Sequence, residues 1–157
     1  MKILLSLLLA STAGLAADTA AADHQAVVAL AARLAYPGAA AKLAARKRLS
    51  KAEAAGNEAA LAAAAAAAQK SQSDIYATKD TLPKILDHYQ ALLTGMGFTN
   101  HVPRKAAGQV LFAGYMKAGM IVTVTAIQDP DTNVALEKGQ RFPPGTQGVV
   151  VDVNKGF

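Results

Sequence analysis

The stretch DTLPKILDHYQALLTGMGF, residues 80–98, carries the strongest secondary-structure signal in the chain. Asp80 or Thr81 suits a helix N-cap, and Pro83 falls in the first turn, where the amide proton that proline lacks has no helical partner. At about 100° per residue, seven apolar side chains fall within an arc of roughly 120°. They are Leu82, Ile85, Leu86, Tyr89, Leu92, Leu93 and Met96. The pattern predicts an amphipathic helix that lies on a sheet and ends at Gly95 or Gly97.

Segments typical of β-strands surround this helix. QVLFAGYM (109–116) and MIVTVTAI (120–127) are joined by a short Gly-containing turn, residues 117–119, as in a β-hairpin. IYAT (75–78) precedes the helix, and VVVDV (149–153) is predicted to close the sheet as its last strand. This order predicts an α+β fold, with one amphipathic helix packed on a small antiparallel or mixed sheet.

The N-terminal half is dominated by alanine. Residues 24–35 have helical spacing of apolar side chains, and Pro37-Gly38 ends that helix. Residues 39–70 have high helix propensity but small side chains, with breaks expected near Ser50, where Ser50 to Glu53 has capping-box spacing, and at Gly56-Asn57. We therefore expect an Ala-rich helical arm over residues 17–70, a short polar linker, SQSD (71–74), and a small α+β domain over residues 71–157.

Residues 1–16 have the three parts of a secretory signal peptide. Met1-Lys2 is a short cationic start, ILLSLLLA is an apolar run, and STAGLAAD supplies small residues for signal peptidase. Cleavage after Ala16 fits best, and cleavage after Ala13 fits nearly as well. We expect export to the periplasm or the extracellular space, with no transmembrane segment in the mature chain.

The chain has Tyr36-Pro37-Gly38-Ala39, then a strand, a helix with His88-Tyr89, a turn at Gly97-Phe98 and a hairpin rich in Thr and Val. This order of motifs resembles a group of small exported bacterial α+β domains of unknown function. The resemblance covers roughly residues 36–127 and rests on a YPGA-like segment followed by these elements. It departs from the pattern at His88, where an aromatic is usual, and at the Ala-rich insertion. The resemblance implies the fold and the exported location, and it brings no catalytic residues.

Metal and cofactor sites find no support in the sequence. The chain has no cysteine, which excludes disulfides and thiolate zinc sites. His24, His88 and His101 lack the close spacing of zinc ligands. The segment from Asp129 begins like a calcium loop but has Val134 where that loop needs glycine. We therefore predict neither a metal nor a cofactor.

Catalytic motifs are absent as well. No Gly-x-Ser-x-Gly turn occurs, no Ser-x-x-Lys with its partners occurs, and no pair of carboxylates is marked by its spacing. The sequence predicts no catalytic residues and favours a protein that is not an enzyme, with an unrecognised hydrolase as the alternative.

The segment KLAARKRLSK, residues 42–51, gathers five cations in a chain whose formal net charge is +5. They are Lys42, Arg46, Lys47, Arg48 and Lys51. Without interleaved aromatics or a strong apolar face, the segment is typical of a solvated helix face. The alternative is salt-sensitive polyanion binding, to nucleic acid, anionic lipid or an acidic wall polymer.

The second candidate contact surface is the Pro- and Gly-rich segment 139–148, which is predicted to be an exposed loop. Its contact residues would be Arg141, Phe142, Pro143 and Pro144, unless Phe142 packs onto the core. The sequence as a whole predicts an exported, non-enzymatic protein that acts by binding or structural interaction, with a protein or an envelope polymer as its partner.

Overall fold

The computed structural model describes residues 4–46 and 51–156, with side chains described for residues 19–46 and 53–156. The helices are α1 (Leu4–Arg33), α2 (Lys51–Ala54), α3 (Glu58–Gln69), α4 (Leu82–Gly95) and α5 (Pro130–Asn133). The strands are β1 (Ala39–Leu43), β2 (Ser71–Thr78), β3 (Thr99–Ala107), β4 (Val110–Lys117), β5 (Met120–Ile127) and β6 (Gln147–Lys155).

The strands form one antiparallel sheet in the order β1-β2-β6-β5-β4-β3. The fold is therefore α+β with helices packed on a sheet, as the sequence predicts. β6 is last in the chain but lies between β2 and β5, so it does not close the sheet at an edge. Its interior position follows from its valine run, because Val149, Val151 and Val153 are all buried under the helices.

Helices α1 and α4 cover one face of the sheet. The predicted arc of α4 is confirmed: Ile85, Leu86, Tyr89 and Leu93 are buried, and the other apolar side chains of the arc pack partly buried against the same core. Thr81 is the N-cap and Pro83 lies in the first turn, as expected. The helix therefore binds the sheet through the surface that its sequence periodicity marks.

Helix α1 contributes to this core through its C-terminal turns. Val27 and Ala31 of the helix are buried, as is Leu34 directly after it, which agrees with the apolar spacing predicted for residues 24–35. The Tyr89 hydroxyl donates a hydrogen bond to the Leu34 carbonyl oxygen at 2.9 Å, so the end of α1 is tied to the middle of α4. Burial raises the pKa of the Tyr89 hydroxyl far above its ordinary value.

The hairpin between β4 and β5 has the turn that the sequence predicts. Ala118 and Gly119 both have positive φ, at 47° and 76°, which suits a two-residue turn whose twist matches the flanking strands. Val122, Val124 and Ala126 point into the helix-covered core, while Thr123 and Thr125 lie half-buried on the opposite face.

Two predictions for the N-terminal half are wrong. Residues 39–43 form the edge strand β1, because pairing with β2 overrides the helix propensity of alanine. The segment SQSD is the first half of β2 and pairs with β6 from Ser71↔Asn154 onward, so it is not a linker. The predicted break at Gly56-Asn57 is confirmed, since the Asn57 side chain caps α3 by accepting a hydrogen bond from the Ala60 amide. The predicted cap at Ser50 lies outside the described residues.

On the second face of the sheet, the chain between β5 and β6 packs over part of the strands. Phe142 packs there in a small cluster with Ile75 and Ala77. The predicted turn at Asp129-Pro130-Asp131 is the start of α5, a single helical turn. Residues 147 and 148, assigned to the loop by the sequence, belong to β6.

Candidate functional site

Lys42, the first cation of the basic segment, is held against the sheet. It lies opposite Tyr76 in the β1–β2 pairing. Its Nζ is 2.9 Å from Asp74 Oδ1 and 5.7 Å from the centroid of the Tyr76 ring. One end of the segment is therefore occupied by an ion pair and a cation–π contact within the fold.

The carboxylate that Lys42 meets is buried. Asp74 is 6% exposed, and its side chain also accepts hydrogen bonds from Gln72 Nε2 at 3.1 Å and from the Tyr76 hydroxyl at 3.3 Å. Burial, together with the negative charge of Asp74 and the hydrogen bond to it, raises the pKa of Tyr76 to about 12. Lys42 is the cation of this buried network, which needs a positive charge to offset that of Asp74.

The remaining cations of the segment are placed differently. Arg46 has an exposed side chain, and its backbone amide donates a hydrogen bond to the Ala135 carbonyl oxygen at 2.9 Å. Lys47 and Arg48 lie outside the described residues, and Lys51 opens α2 with its side chain also outside them. Polyanion binding through this segment stays a prediction.

The predicted interaction loop presents less surface than its sequence indicates. Phe142 is 3% exposed, and its amide donates a hydrogen bond to Asp131 Oδ1 at 3.4 Å. Pro143 is half-buried, whereas Arg141 and Pro144 are exposed. Of the four predicted contact residues, Arg141 and Pro144 are therefore the exposed ones, and Phe142 anchors the loop in the core.

The YPGA-like segment forms a tightly packed junction with the start of α4. The Tyr36 hydroxyl donates a hydrogen bond to Asp80 Oδ2 at 2.8 Å, and the Thr78 hydroxyl donates one to the Gly38 carbonyl oxygen at 2.9 Å. A Cβ on Gly38 would lie 2.7 Å from Asp80 Oδ2 and 3.0 Å from Tyr36 Cε1, so a larger residue would displace these two hydrogen-bonded side chains. Hydrogen bonds from Lys84 and from Tyr36 hold the pKa of the Asp80 carboxyl below its ordinary range. These contacts explain the motif as structural.

His88 lies beside this junction. Its ring meets the edges of the Tyr36 and Tyr89 rings, each with a centroid separation of 5.2 Å, and its Nε2 is buried without a hydrogen-bond partner. Burial lowers the pKa of His88, against the opposing charge of Asp80. His24 and His101 are exposed on α1 and β3. Among the residues whose placement is described, no group of three or more His, Cys, Asp or Glu is arranged to hold a metal ion.

A cavity of about 680 Å³, here called the end cavity, lies where β2 begins and β6 ends. The last turns of α3 and the residues after them form one wall: Ala66, Ala67, Lys70 and Ser71. The β4–β5 hairpin forms the second wall with Met116, Gly119 and Ile121, and the end of β6 forms the third with Asn154, Lys155 and Gly156. Sequence reasoning did not identify this site.

Small residues account for the space in the end cavity. The methyl groups of Ala66 and Ala67 fill little volume beside the sheet, and both alanines are exposed. Gly156 lies against the hairpin, where a Cβ would be 3.1 Å from the Gly119 carbonyl oxygen. The sequence features that relate to this cavity are the alanine run of α3 and the half-buried face of β5. They do not specify where α3 lies relative to that strand.

The cavity wall divides into an apolar and a polar part. Met116 and Ile121 supply the larger apolar side chains. The polar part is contributed by Lys70 and Lys155, together with Ser71 and Asn154. The Ser71 hydroxyl donates to the Ala67 carbonyl oxygen at 3.1 Å, and Lys155 Nζ is 3.7 Å from Asp23 Oδ1 on α1. A mostly apolar concavity with a few polar groups is the usual form of a small-molecule site.

Comparison of the chain with protein-family models, with curated proteins and with solved structures gave no match. None of the helices in residues 4–46 and 51–156 combines the length and the apolar character that crossing a lipid bilayer requires.

Proposed function

We propose that the protein is exported and acts as a binding protein that takes a small, largely apolar molecule into the end cavity. The observation that carries this proposal is the cavity itself. Its volume of about 680 Å³ lies within the range of roughly 300–1,000 Å³ that is usual for small-molecule sites. Its walls combine apolar side chains with a small number of polar groups, as such sites do.

Binding, not turnover, is favoured by the chemistry of the lining. The Ser71 hydroxyl is bonded to the backbone of α3, and Asn154 is an amide without acid–base chemistry. Among the described residues that line the cavity there is no histidine or carboxylate to serve as a general base. A molecule that enters the cavity would therefore meet groups that position it, without a base–nucleophile pair to transform it.

Export is proposed from the leader-like residues 1–16, and the packing of α1 is compatible with their removal. The described buried side chains of α1 are Val27 and Ala31, and the buried Leu34 comes directly after the helix, so all three follow Ala16. Cleavage after Ala16 would thus leave the contacts of these side chains with the sheet in place. Expression in a bacterial host, followed by mass spectrometry of the periplasmic and secreted fractions, tests this. We expect a chain that begins at Ala17, or at Gly14 if cleavage follows Ala13, and an uncleaved intracellular chain would contradict export.

Binding is tested with Nile red, a neutral apolar dye whose fluorescence rises in an apolar site. Ala66→Phe adds a large side chain to the cavity wall, and we expect it to weaken dye binding about tenfold or more. Ala65→Phe is the matched control, because Ala65 is exposed on the same helix, does not line the cavity and projects about 100° away from Ala66. Absence of dye binding to the wild-type protein, or equal binding by both variants, would contradict the proposal.

A further inference from the structure

One row of half-buried side chains runs across four strands and lines the end cavity. Its members, each paired in register with the next, are Ser71 on β2, Asn154 on β6, Ile121 on β5 and Met116 on β4. Val122 and Val153, which adjoin the row along the chain, are buried on the helix-covered face, so the row points to the second face of the sheet. The cavity therefore has a floor that is polar at one end and apolar at the other.

The two lysines of the lining are engaged elsewhere in the fold. Lys155 follows Asn154 along β6, so its side chain projects to the helix-covered face, where Nζ is 3.7 Å from Asp23 Oδ1 on α1. Lys70 also has a partner within the chain. The described lining contains neither aspartate nor glutamate. A charged headgroup above the row would therefore lose hydration without meeting an unpaired counter-charge in the lining, which is costly.

The polar end of the row offers both kinds of hydrogen-bonding group. In the part of the chain that the structure describes, the Asn154 side-chain amide has no hydrogen-bond partner, so its nitrogen can donate and its oxygen can accept. The Ser71 hydroxyl already donates to the Ala67 carbonyl oxygen at 3.1 Å, which leaves the Ser71 oxygen as an acceptor. A carboxylate has acceptors only and an ammonium has donors only, so each would leave part of this set unmatched. A carboxamide matches both parts.

From these observations we infer that the end cavity binds an uncharged molecule whose polar group both donates and accepts hydrogen bonds, such as a carboxamide, at Asn154 and Ser71. The apolar body of this molecule lies over Ile121 and Met116, against the methyl groups of α3, where burial of apolar surface favours binding. The inference rests on the proposed function and names the class of ligand.

One carboxylate lies on the same face of the sheet, just beyond the lining. Asp152 is two residues before Asn154 on β6, so their Cα atoms are about 7 Å apart. Its negative charge adds to the cost of an anionic headgroup at Asn154. A cationic ligand that reaches Asp152 is the alternative, and the experiment includes a variant that distinguishes it.

The experiment measures displacement of Nile red from the purified protein by three probes with the same chain, namely octanamide, octanoate and octylammonium, at neutral pH. We expect octanamide to bind about tenfold or more tightly than either ion, because its hydrogen bonds are matched and it carries no charge to desolvate. Asn154→Leu should remove most of this preference and retain binding of the dye. Gln109→Leu is the matched control, since it makes the same polar-to-apolar change at an exposed position between β3 and β4, outside the cavity.

Asn154→Asp supplies a directional test. The change keeps the size of the side chain and replaces the amide by a negative charge. We expect it to weaken octanamide binding and to strengthen octylammonium binding a few-fold, a gain that structural damage would not produce.

The outcomes separate the two proposals. Preference for octanamide that persists in Asn154→Leu, or tightest binding of octanoate, would overturn the uncharged ligand. Tightest binding of octylammonium would also overturn it, and loss of that binding in Asp152→Asn would assign the cation to this carboxylate. Equal affinity for the three probes, lost in Ala66→Phe, would overturn the uncharged ligand and leave the binding function standing.

The proposed function itself has separate refutations. Failure of the dye and of all three probes to bind would overturn it. Octanamide binding that is unchanged in Ala66→Phe, a variant whose folding circular dichroism checks, would place the binding elsewhere on the surface and overturn both proposals.

Discussion

The ion pair between Lys42 and Asp74 predicts that one cation of the basic segment stabilises the fold while its neighbour does not. Lys42→Met keeps most of the aliphatic stem and removes the ammonium group 2.9 Å from Asp74 Oδ1. The carboxylate, whose side chain is 7% exposed, would keep only neutral hydrogen-bond partners, Gln72 and Tyr76. A buried charge that loses its counter-charge is costly.

The magnitude follows from the unequal exposure of the two partners. Exposed pairs contribute about 0.2–1 kcal/mol, and removal of one partner from a fully buried pair costs about 3–5 kcal/mol. The Lys42 side chain is 61% exposed, so solvent screens the pair and the expected loss lies well below the buried limit. We expect Lys42→Met to lower the free energy of unfolding by about 1–2 kcal/mol, including the lost contact with the Tyr76 ring.

Urea denaturation followed by circular dichroism measures this loss. The matched control is Arg46→Met, because Arg46 belongs to the same segment, has an exposed side chain and is held through its backbone amide. Arg46→Met should change the free energy of unfolding by less than about 0.5 kcal/mol. In a double-mutant cycle with Asp74→Asn, the Lys42→Met loss should shrink, with a coupling energy of about 1 kcal/mol. Equal stability of Lys42→Met and Arg46→Met would refute the structural role that the geometry assigns to Lys42.

Two further predictions concern the junction between the YPGA-like segment and α4. Gly38→Ala should destabilise the protein by about 1–3 kcal/mol, because its Cβ would lie 2.7 Å from Asp80 Oδ2. The control Gly95→Ala, at a helical position with open space around it, should be neutral or stabilising by up to about 1 kcal/mol. Thermal melts measure both changes. Burial lowers the pKa of His88 from 6.5, so as the pH falls the histidine is protonated in the unfolded state before it is protonated in the folded state. The free energy of unfolding should therefore decline from about pH 6.5 down to the folded pKa, by at most ~1.4 kcal/mol per pH unit. His88→Phe should flatten that part of a urea-midpoint series while exposed His101→Gln leaves it unchanged, and an unaltered slope in His88→Phe would contradict the assignment.

Periodicity made α4 and the β4–β5 hairpin predictable from sequence. The 3.6-residue spacing of apolar side chains in α4 predicts that Leu86 and Tyr89 are buried. In β5 the alternation of side chains between the two faces predicts that Val124 is buried while its neighbours are half-buried. In these elements local preference and tertiary packing agree. The same agreement explains why Asn57 was recognised at the break before α3.

Local preference failed where pairing partners decide the structure. Residues 39–43 have the composition of a helix, but β2 offers an edge with which they pair, and Lys42 reaches the buried Asp74 from that strand. The polar composition of SQSD is typical of a linker, but the segment forms a strand because β6 pairs with it and Lys42 offsets the charge of Asp74. Both errors involve long-range contacts that no window of sequence contains. The end cavity was missed for the same reason, since its walls come from three separate parts of the chain.

The alanine-rich helix α3 gains little from packing of its own side chains, because methyl groups bury too little surface to hold a helix firmly. In α3 no side chain is buried; the helix contacts α1, is capped by Asn57 and connects directly to β2 at its end. A helix of larger apolar residues at Ala66 and Ala67 would fill the space against Met116 and Ile121 and close the end cavity. The small alanine side chains thus allow α3 to form a wall of the end cavity without filling the cavity. On this argument the composition that weakens the core is the same composition that leaves room for a ligand, and a bound ligand would in turn supply the apolar contacts that α3 lacks.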